Sequence, residues 1–404
     1  MADGLGVSAE HDALADAVSG FAAQAQLTAE ARRAAESDAD LLPASWSALA
    51  AQELLALPLD GSLLDVCVAV EALGRALASG PTLSTLIAAT LIRRHGSDEL
   101  RARVESGLRD GSFSVAVAHD GLLLGGASVS HVIVETGGRW QVVDATAVGL
   151  TSTSGIDPTR RLARATVPTS YDDDAGTLPA LTGAEVQELT ALLLSAEAAG
   201  VAAWCLATAV DYAKVREQFG RPIGQFQAVK HSCADMLAQV ELARAAVWDA
   251  AGAYDDDTAD APVRSLTVTV AVAVAVEAAV ECAKSCIQVL GGIGFTWEHD
   301  AHLYLRRALV ARQLLGAGDT HRLRAVRLAS GGARRELRME LPPEAENFRG
   351  PARAVIEGVR DLDPAAVRRA LAPTGYAAPH LPAPYGLGAG PVQQLVIQEE
   401  LGRS

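Results

Sequence analysis

Two short stretches combine residue types that can hold a phosphorylated ligand. The first is Arg216-Glu-Gln-Phe-Gly-Arg-Pro-Ile-Gly-Gln-Phe-Gln227, the second Gln288-Val-Leu-Gly-Gly-Ile-Gly-Phe-Thr-Trp-Glu-His299. A guanidinium at a helix end, such as Arg216, makes charge-assisted hydrogen bonds to phosphate oxygens. The pair Gly291-Gly292 lets backbone N–H groups approach a ligand where a Cβ would block them. Gln227 and Gln288 offer neutral donor–acceptor groups suited to a ribose or a base. Taken singly, each has a plainer reading. Gly291-Gly292 is then a helix C-cap and Arg216 half of a surface ion pair.

Other chemistries find less support. Gly291-Gly-Ile-Gly294 lacks the G-x-G-x-x-G spacing and follows a helical pattern, Gly316-Ala-Gly318 has no third glycine, and no P-loop is present. His299 and His302 flank no H-E-x-x-H metal motif, so they read as a polar helix start. Cys282 and Cys286 share a helical face without a second pair and read as buried thiols. The 404 residues carry 34 Lys+Arg against 49 Asp+Glu, a net charge of −15, which argues against nucleic acid as a partner. Five cysteines, an odd number, point to a reducing compartment. The N-terminal stretch has no basic export signature, and apolar runs such as Val270 to Val276 are soon interrupted by Glu277 and Glu281. The expectation is a cytoplasmic protein with no integral membrane segment.

The elements that must position the two stretches are mostly helical. Residues 1–110 are rich in Ala and Leu, with breaks at Leu42-Pro43, Asp60-Gly61 and Ser79-Gly80-Pro81, and read as an N-terminal helical domain. Residues 111–178 change texture. Phe113–Ala118, His131–Glu135, Trp140–Ala145 and Leu162–Val167 read as strands of a short β domain, with Gly137-Gly138 as a hairpin turn. Its exit, Pro168 to Pro179 with three consecutive aspartates, reads as a solvated linker. Residues 179–332 return to long helices. Val229, Cys233, Met236, Val240, Ala243 and Val247 form a bundle-type stripe that Gly252 and Asp255-Asp256-Asp257 should end. Ala261 to Leu290 contains a strand-like Val-Ala alternation, but its length and Pro262 near its start favour a helix. Residues 333–404 partly repeat the N-terminus, since Val68-Ala-Val-Glu-Ala-Leu-Gly-Arg75 is echoed by Val396-Ile-Gln-Glu-Glu-Leu-Gly-Arg403. We expect residues 1–330 to be one module and the tail to begin a second, incomplete copy.

Together the two stretches resemble the signature segments of the acyl-CoA dehydrogenase family, R-x-x-F-G-x-x-[IL]-x-x-x-Q and Q-x-x-G-G-x-G. The resemblance implies a mainly α fold with a small β domain: helical domain, β domain, C-terminal four-helix bundle. It implies FAD as cofactor, with Arg216, Gln218, Phe219, Gln227, Gln288, Gly291, Gly292 and Gly294 as the cofactor-binding residues. In this family such elements reach a flavin held mainly by the adjacent subunit, so an oligomer is implied. An acyl-CoA thioester substrate and an electron-transfer flavoprotein as redox partner are implied as well.

The departures are as informative. The family's catalytic glutamate usually follows an R-D or R-R pair by about ten residues. After Arg306-Arg307, however, Leu315 or Ala317 stands in that place, and Asp319 is the nearest acid. The alternative position on an earlier helix offers Thr190 or Thr208, leaving Glu185, Glu188 and Glu197 as weak substitutes that read as solvated helix charges. The segments that normally hold the isoalloxazine are absent. No catalytic residue is therefore assigned. The expected function is the α,β-dehydrogenation of an acyl-CoA thioester, of fatty acid or steroid side-chain type, by a two-module enzyme. This chain would supply adenosine- and pyrophosphate-side contacts from its non-catalytic first module. The alternative is an enzymatically silent subunit that completes the FAD site of a separate catalytic acyl-CoA dehydrogenase subunit.

Overall fold

A computed structural model describes residues 8–37, 40–118, 121–153, 155–167, 176–335, 341–360 and 362–402. Seven helices come first: α1 (Ala9–Gln24), α2 (Leu27–Glu36), α3 (Trp46–Ala51), α4 (Leu57–Asp60), α5 (Leu63–Arg75), α6 (Thr82–His95) and α7 (Asp98–Asp110). Their ends follow local chemistry. Ser62 and Asp65 form a reciprocal capping box at the start of α5, Ser97 caps α7, and Gly111 stops α7 at φ +78°.

The β region holds β1 (Val115–Val117), β2 (Leu122–Leu124), β3 (His131–Thr136), β4 (Arg139–Asp144), β5 (Gly149–Thr153), β6 (Leu162–Thr166) and β7 (Thr177–Leu178). They form two sheets, β1-β3-β4-β7 and β2-β6-β5. β1 pairs with β3 in parallel, and the other pairs are antiparallel. Gly137 and Gly138, at φ +56° and +76°, make the tight turn between β3 and β4. Leu123, Val132, Val134, Val143 and Ala163 build a small core of their own. β2, β5 and β7 are short strands that the sequence pattern did not disclose. Of the expected linker, residues 168–175 lie outside the described residues. Residues 176–178 are not a solvated linker: Gly176 sits so close to the Val142 carbonyl that a Cβ would clash, and β7 pairs with β4.

The bundle comprises α8 (Gly183–Val215), a two-strand hairpin of β8 (Glu217–Gln218) and β9 (Arg221–Pro222), then α9 (Gln227–Asp255), α10 (Ala261–Leu290), α11 (Ala301–Leu315) and α12 (Gly318–Ser330). Asp260 caps α10, and Pro262 stands in its first turn, where its missing N–H costs nothing. The Val-Ala run of α10 is helical because packing overrides local alternation: Ala271, Val272, Ala275 and Val276 are buried. In α9, Met236, Val240, Ala243 and Val247 face the core, and Gly252 lies inside the helix rather than ending it. α5 crosses α8 closely, for a Cβ on Gly200 would lie 2.0 Å from the Glu71 carbonyl oxygen. Two helical stretches, Gly183–Val215 and Ala261–Phe295, are long and apolar enough by length and composition alone to cross a membrane, as the core helix of a globular bundle can be. Their most apolar windows are 78% and 72% buried by the rest of the protein.

Of the described residues, 341–360 and 362–402, together with 8 and 9, form a separate compact unit. It contains α13 (Glu346–Glu357), α14 (Pro364–Leu371) and α15 (Pro391–Gly402). Ala345, Ala352, Ile356, Val396 and Ile397 make its small core, and Arg349 and Arg353 bond Glu400.

Candidate functional site

The two sequence stretches meet at one end of the bundle. α8 and α10 run side by side in the same direction: Glu188 accepts a hydrogen bond from Ser265, and further along Cys205 lies beside Cys286. α9 runs the opposite way, with Cys282 Sγ 3.8 Å from the Met236 carbonyl oxygen. The C-termini of α8 and α10 and the N-terminus of α9 therefore share one end. Arg216, Gln227, Gln288, Gly291 and Gly292 all sit there, and all are exposed.

Arg216 caps α8 through its backbone, donating to the Tyr212 carbonyl and accepting from Ile223 N–H. No carboxylate pairs with its side chain among the described residues, so the ion-pair reading does not apply. Gly291, at φ +62°, does close α10. A Cβ added at Gly291 or Gly292 would meet nothing within 4 Å. Gly292 is therefore not required by the packing of its own chain. Gly294 is different, because a Cβ there would lie 2.8 Å from Leu290 Cβ and 2.9 Å from the Ile287 carbonyl oxygen. Internal packing accounts for it. Gln218 and Phe219 belong to the β8–β9 hairpin, whose turn places Phe219 at φ +53° and Gly220 at φ +76°. Phe219 is 93% exposed and edge-on to Phe226, over which Arg221 stacks at 4.3 Å. Phe295 and Trp297 are also exposed, and neither residue type nor spacing had marked them out.

A second feature is a cavity of about 580 Å³ walled by β1, β2, β6, α6, α8, α10 and the α11–α12 turn. Ile87, Val117, Leu194, Val272 and Leu315 make much of its lining. Leu315 and Thr190, two positions where sequence comparison seeks a base, both face it. Among the described residues its one carboxylate is Glu188, which is occupied by the Tyr254 hydroxyl at 2.7 Å and by Ser265. Burial, with the Glu188 charge beside it, pushes the Tyr254 phenol well up. The other acids are engaged too. Glu185 bonds Arg94 at 2.9 Å and lies 2.9 Å from His95. Burial raises its carboxyl, but the hydrogen bonds from His95 and Arg94 outweigh this and hold it below its ordinary value. Asp319 pairs with Arg322 on the surface.

Glu197 is no solvated charge. It is 4% exposed and accepts from Arg160 at 2.6 Å and Arg307 at 2.7 Å. Arg307 also bonds Asp157, Thr159 at 2.5 Å and the Ala78 carbonyl. Asp157, Arg160, Glu197 and Arg307 thus tie the loop after β5, the end of the N-terminal helices, α8 and α11 into one buried, charge-balanced cluster. Sequence spacing gave no hint of it, because its members are 110 and more positions apart in two of the pairs.

Comparison with known proteins accords with this arrangement. The acyl-CoA dehydrogenase N-terminal domain model matches residues 8–112 and the C-terminal domain model residues 188–329. Acyl-CoA dehydrogenase FadE34 of Mycobacterium tuberculosis is 40% identical over 358 residues, 84% of this chain and 48% of that protein. The chain thus spans about half of that relative's length. Acyl-CoA dehydrogenase IpdE2 of Mycolicibacterium smegmatis is 32% identical over 324 residues, 77% of this chain and 96% of that protein. Among solved structures, the Tcur3481-Tcur3483 steroid ACAD superposes with a TM-score of 0.68 at 25% identity, covering 80% of this chain and 98% of the other. The ChsE4-ChsE5 complex from Mycobacterium tuberculosis gives 0.71 at 23% identity, covering 81% and 99%, a likeness of fold. The chain belongs to the acyl-CoA dehydrogenase family of flavoprotein oxidoreductases.

Proposed function

We propose that this chain is a non-catalytic acyl-CoA dehydrogenase module that completes the FAD site of a competent partner module or subunit. The observation that carries the reading is Arg216, exposed and without an ion-pair partner among the described residues, at a bundle end where the Cβ positions of Gly291 and Gly292 are open. Those residues fit the diphosphate and adenosine half of FAD: Arg216 for the pyrophosphate, Gln227 and Gln288 for ribose or adenine, Gly291 and Gly292 for close backbone approach. Phe219 and Gln218, on the hairpin beside them, would border the same ligand, and Gly294 would shape the turn. Held by a competent partner, FAD would supply the hydride acceptor for oxidation of the acyl chain.

The cavity supports the silent half of the reading. Leu315 lines it, and Glu188 is held by two hydroxyls, so among the described residues no free carboxylate lines it to remove an α-proton. The partner would supply the base, the flavin cradle and the acyl-CoA site, and an electron-transfer flavoprotein would take the electrons. In domain terms, residues 1–110, 111–178 and 179–332 make the first module and 333–404 open a second. The octet at Val68–Arg75 and its echo at 396–403 support this, as does the match to half of FadE34. The steroid ACAD and the ChsE4-ChsE5 complex favour a heteromeric enzyme acting on steroid side-chain CoA thioesters. The test is reconstitution with that partner. Alone, the chain should be colourless and inactive; with the partner, Arg216→Ala should lower flavin retention about tenfold without shifting the melting temperature of the isolated chain. A stoichiometric yellow flavoprotein from the isolated chain would refute the reading.

A further inference from the structure

The connection from α10 to α11, residues 291–300, is held differently at its two ends. At the first, Gly291 closes α10 and Gly294 packs on Leu290 and Ile287. At the second, Phe295, Thr296, Trp297 and Glu298 are exposed. Their own bonds are local: Thr296 N–H reaches the Ile293 carbonyl at 3.1 Å, and Glu298 N–H reaches Thr296 Oγ1 at 3.3 Å. Such bonds close a turn without fixing where it stands on the bundle. A distant side chain does that. Arg32, on α2, donates from Nη1 to the Trp297 carbonyl at 3.2 Å, from Nη2 to the Glu298 carbonyl at 3.0 Å and from Nε to Asp300 Oδ1 at 2.7 Å. Among the described residues, no other side chain from outside 291–300 hydrogen-bonds the backbone of this connection. α2 is a firm anchor: Leu27 and Ala31 are buried, Glu30 accepts from the Ser45 backbone and hydroxyl, and Thr28, one turn before Arg32, bonds the Ala76 carbonyl at 3.0 Å.

The clamp decides where two exposed aromatic rings go. Rings such as Phe295 and Trp297, 90% and 68% exposed, gain by folding onto nearby surface, and the open space over Gly291 and Gly292 lies a few residues away. Instead the Trp297 ring rests on α11, edge-on to His302 and 4.9 Å from the Arg306 guanidinium. We infer that Arg32 is a positioning residue for the flavin half-site: it pins the 297–300 end of the connection, so that the approach to Gly291 and Gly292 stays clear. This rests on the flavin reading above and adds a residue of the N-terminal helices to that site. Only a planar guanidinium sends N–H groups to two carbonyls and a carboxylate at once.

The test uses Arg32→Gln and Arg32→Lys in the full chain. Chymotryptic cleavage after Phe295 and Trp297 should run about tenfold faster in Arg32→Gln. Cleavage after Phe219, on a hairpin that Arg32 does not touch, should keep its rate, and the melting temperature should move by no more than about 2 °C. Arg32→Lys, which keeps a charge for Asp300 but not the fork, should fall between. In the assembly reconstituted with the competent partner, FAD release followed by flavin fluorescence should quicken in the same order. Unchanged cleavage at Phe295 and Trp297, or an equal rise at Phe219, would overturn the inference whatever the flavin does. Faster cleavage with unchanged FAD release, where Arg216→Ala does quicken release, would overturn it too and leave Arg32 a structural tie. If Arg216→Ala also leaves release unchanged, the flavin reading itself falls, and the role of Arg32 with it.

Discussion

Two arginine-bearing regions of this molecule treat charge in opposite ways. At the junction of the β region with α8 and α11, Arg160 and Arg307 are buried against Asp157 and Glu197. At the bundle end, Arg216 stands exposed with no ion-pair partner among the described residues, beside glycines whose side-chain space is open. Charge in the first region is consumed by the fold, because desolvated ions are tolerable only when paired and hydrogen-bonded. Charge in the second is left over from folding. Residues whose identity the chain's own packing does not require are the ones available for a ligand or partner.

The contrast is broken most directly at Arg307. Arg307→Ala leaves Asp157 and Glu197 short of their partner and should cost about 3–5 kcal/mol in denaturant unfolding. Arg160→Met should cost roughly half as much or less, since two of its nitrogens, Nε and Nη2, have no partner in the cluster. The same cluster sets an acid limit. Burial raises the Asp157 carboxyl, but Arg307 and Arg160 lower it further, so its net position is below the ordinary 3.8. A depressed folded value means that this stabilisation is present above pH 3.8 and lost as pH falls through the folded value. Stability measured from pH 6 down to pH 2 should drop below pH 4 in the natural protein, and the drop should be shallower in Arg307→Ala.

The same contrast explains what was legible in the sequence. The REQFG and QVLGGIG stretches are continuous and lie at helix ends, so the family resemblance they carry was legible directly. The helix over Ala261–Leu290 was legible from length and Pro262 despite its strand-like alternation. The buried cluster was not, because Asp157, Glu197 and Arg307 come together only through tertiary packing, and an acid on a long helix reads as solvated until its neighbours are known. The short strands β2, β5 and β7 were missed for a related reason: two to five residues carry too little periodicity, and pairing with β6 or β4 makes them strands.

The glycines sharpen the comparison within a single turn. Gly294→Val must force a side chain into Leu290 and the Ile287 carbonyl, and overpacking of that kind costs roughly 1–3 kcal/mol. Gly292→Val meets open space and should change unfolding by no more than about 0.5 kcal/mol. In a flavin-containing assembly with a competent partner the order should reverse in meaning. Gly292→Val would then lower flavin content while the isolated chain melts as before. Equal destabilisation by both variants would show that the two glycines share a structural role.

A comparably small effect on the isolated chain is expected at Phe219. An aromatic residue at φ +53° occupies a conformation that ordinarily costs an L-residue about 1–2 kcal/mol, and with 93% of its surface exposed its ring recovers little of that by burial. Glycine would relieve the strain but would add backbone freedom to the unfolded chain, worth roughly 0.5–1 kcal/mol in the other direction. Phe219→Gly should therefore shift unfolding by less than about 1 kcal/mol, measured by denaturant titration. The ring is held outward on a hairpin beside Arg216, where an assembled partner or the adenosine half of the cofactor would cover it. The variant should lower flavin retention in the assembly while leaving the isolated chain's stability nearly untouched. If it instead destabilises the isolated chain as strongly as Gly294→Val, the contact with Phe226 is a packing contact, and Phe219 belongs with the residues that the fold consumes.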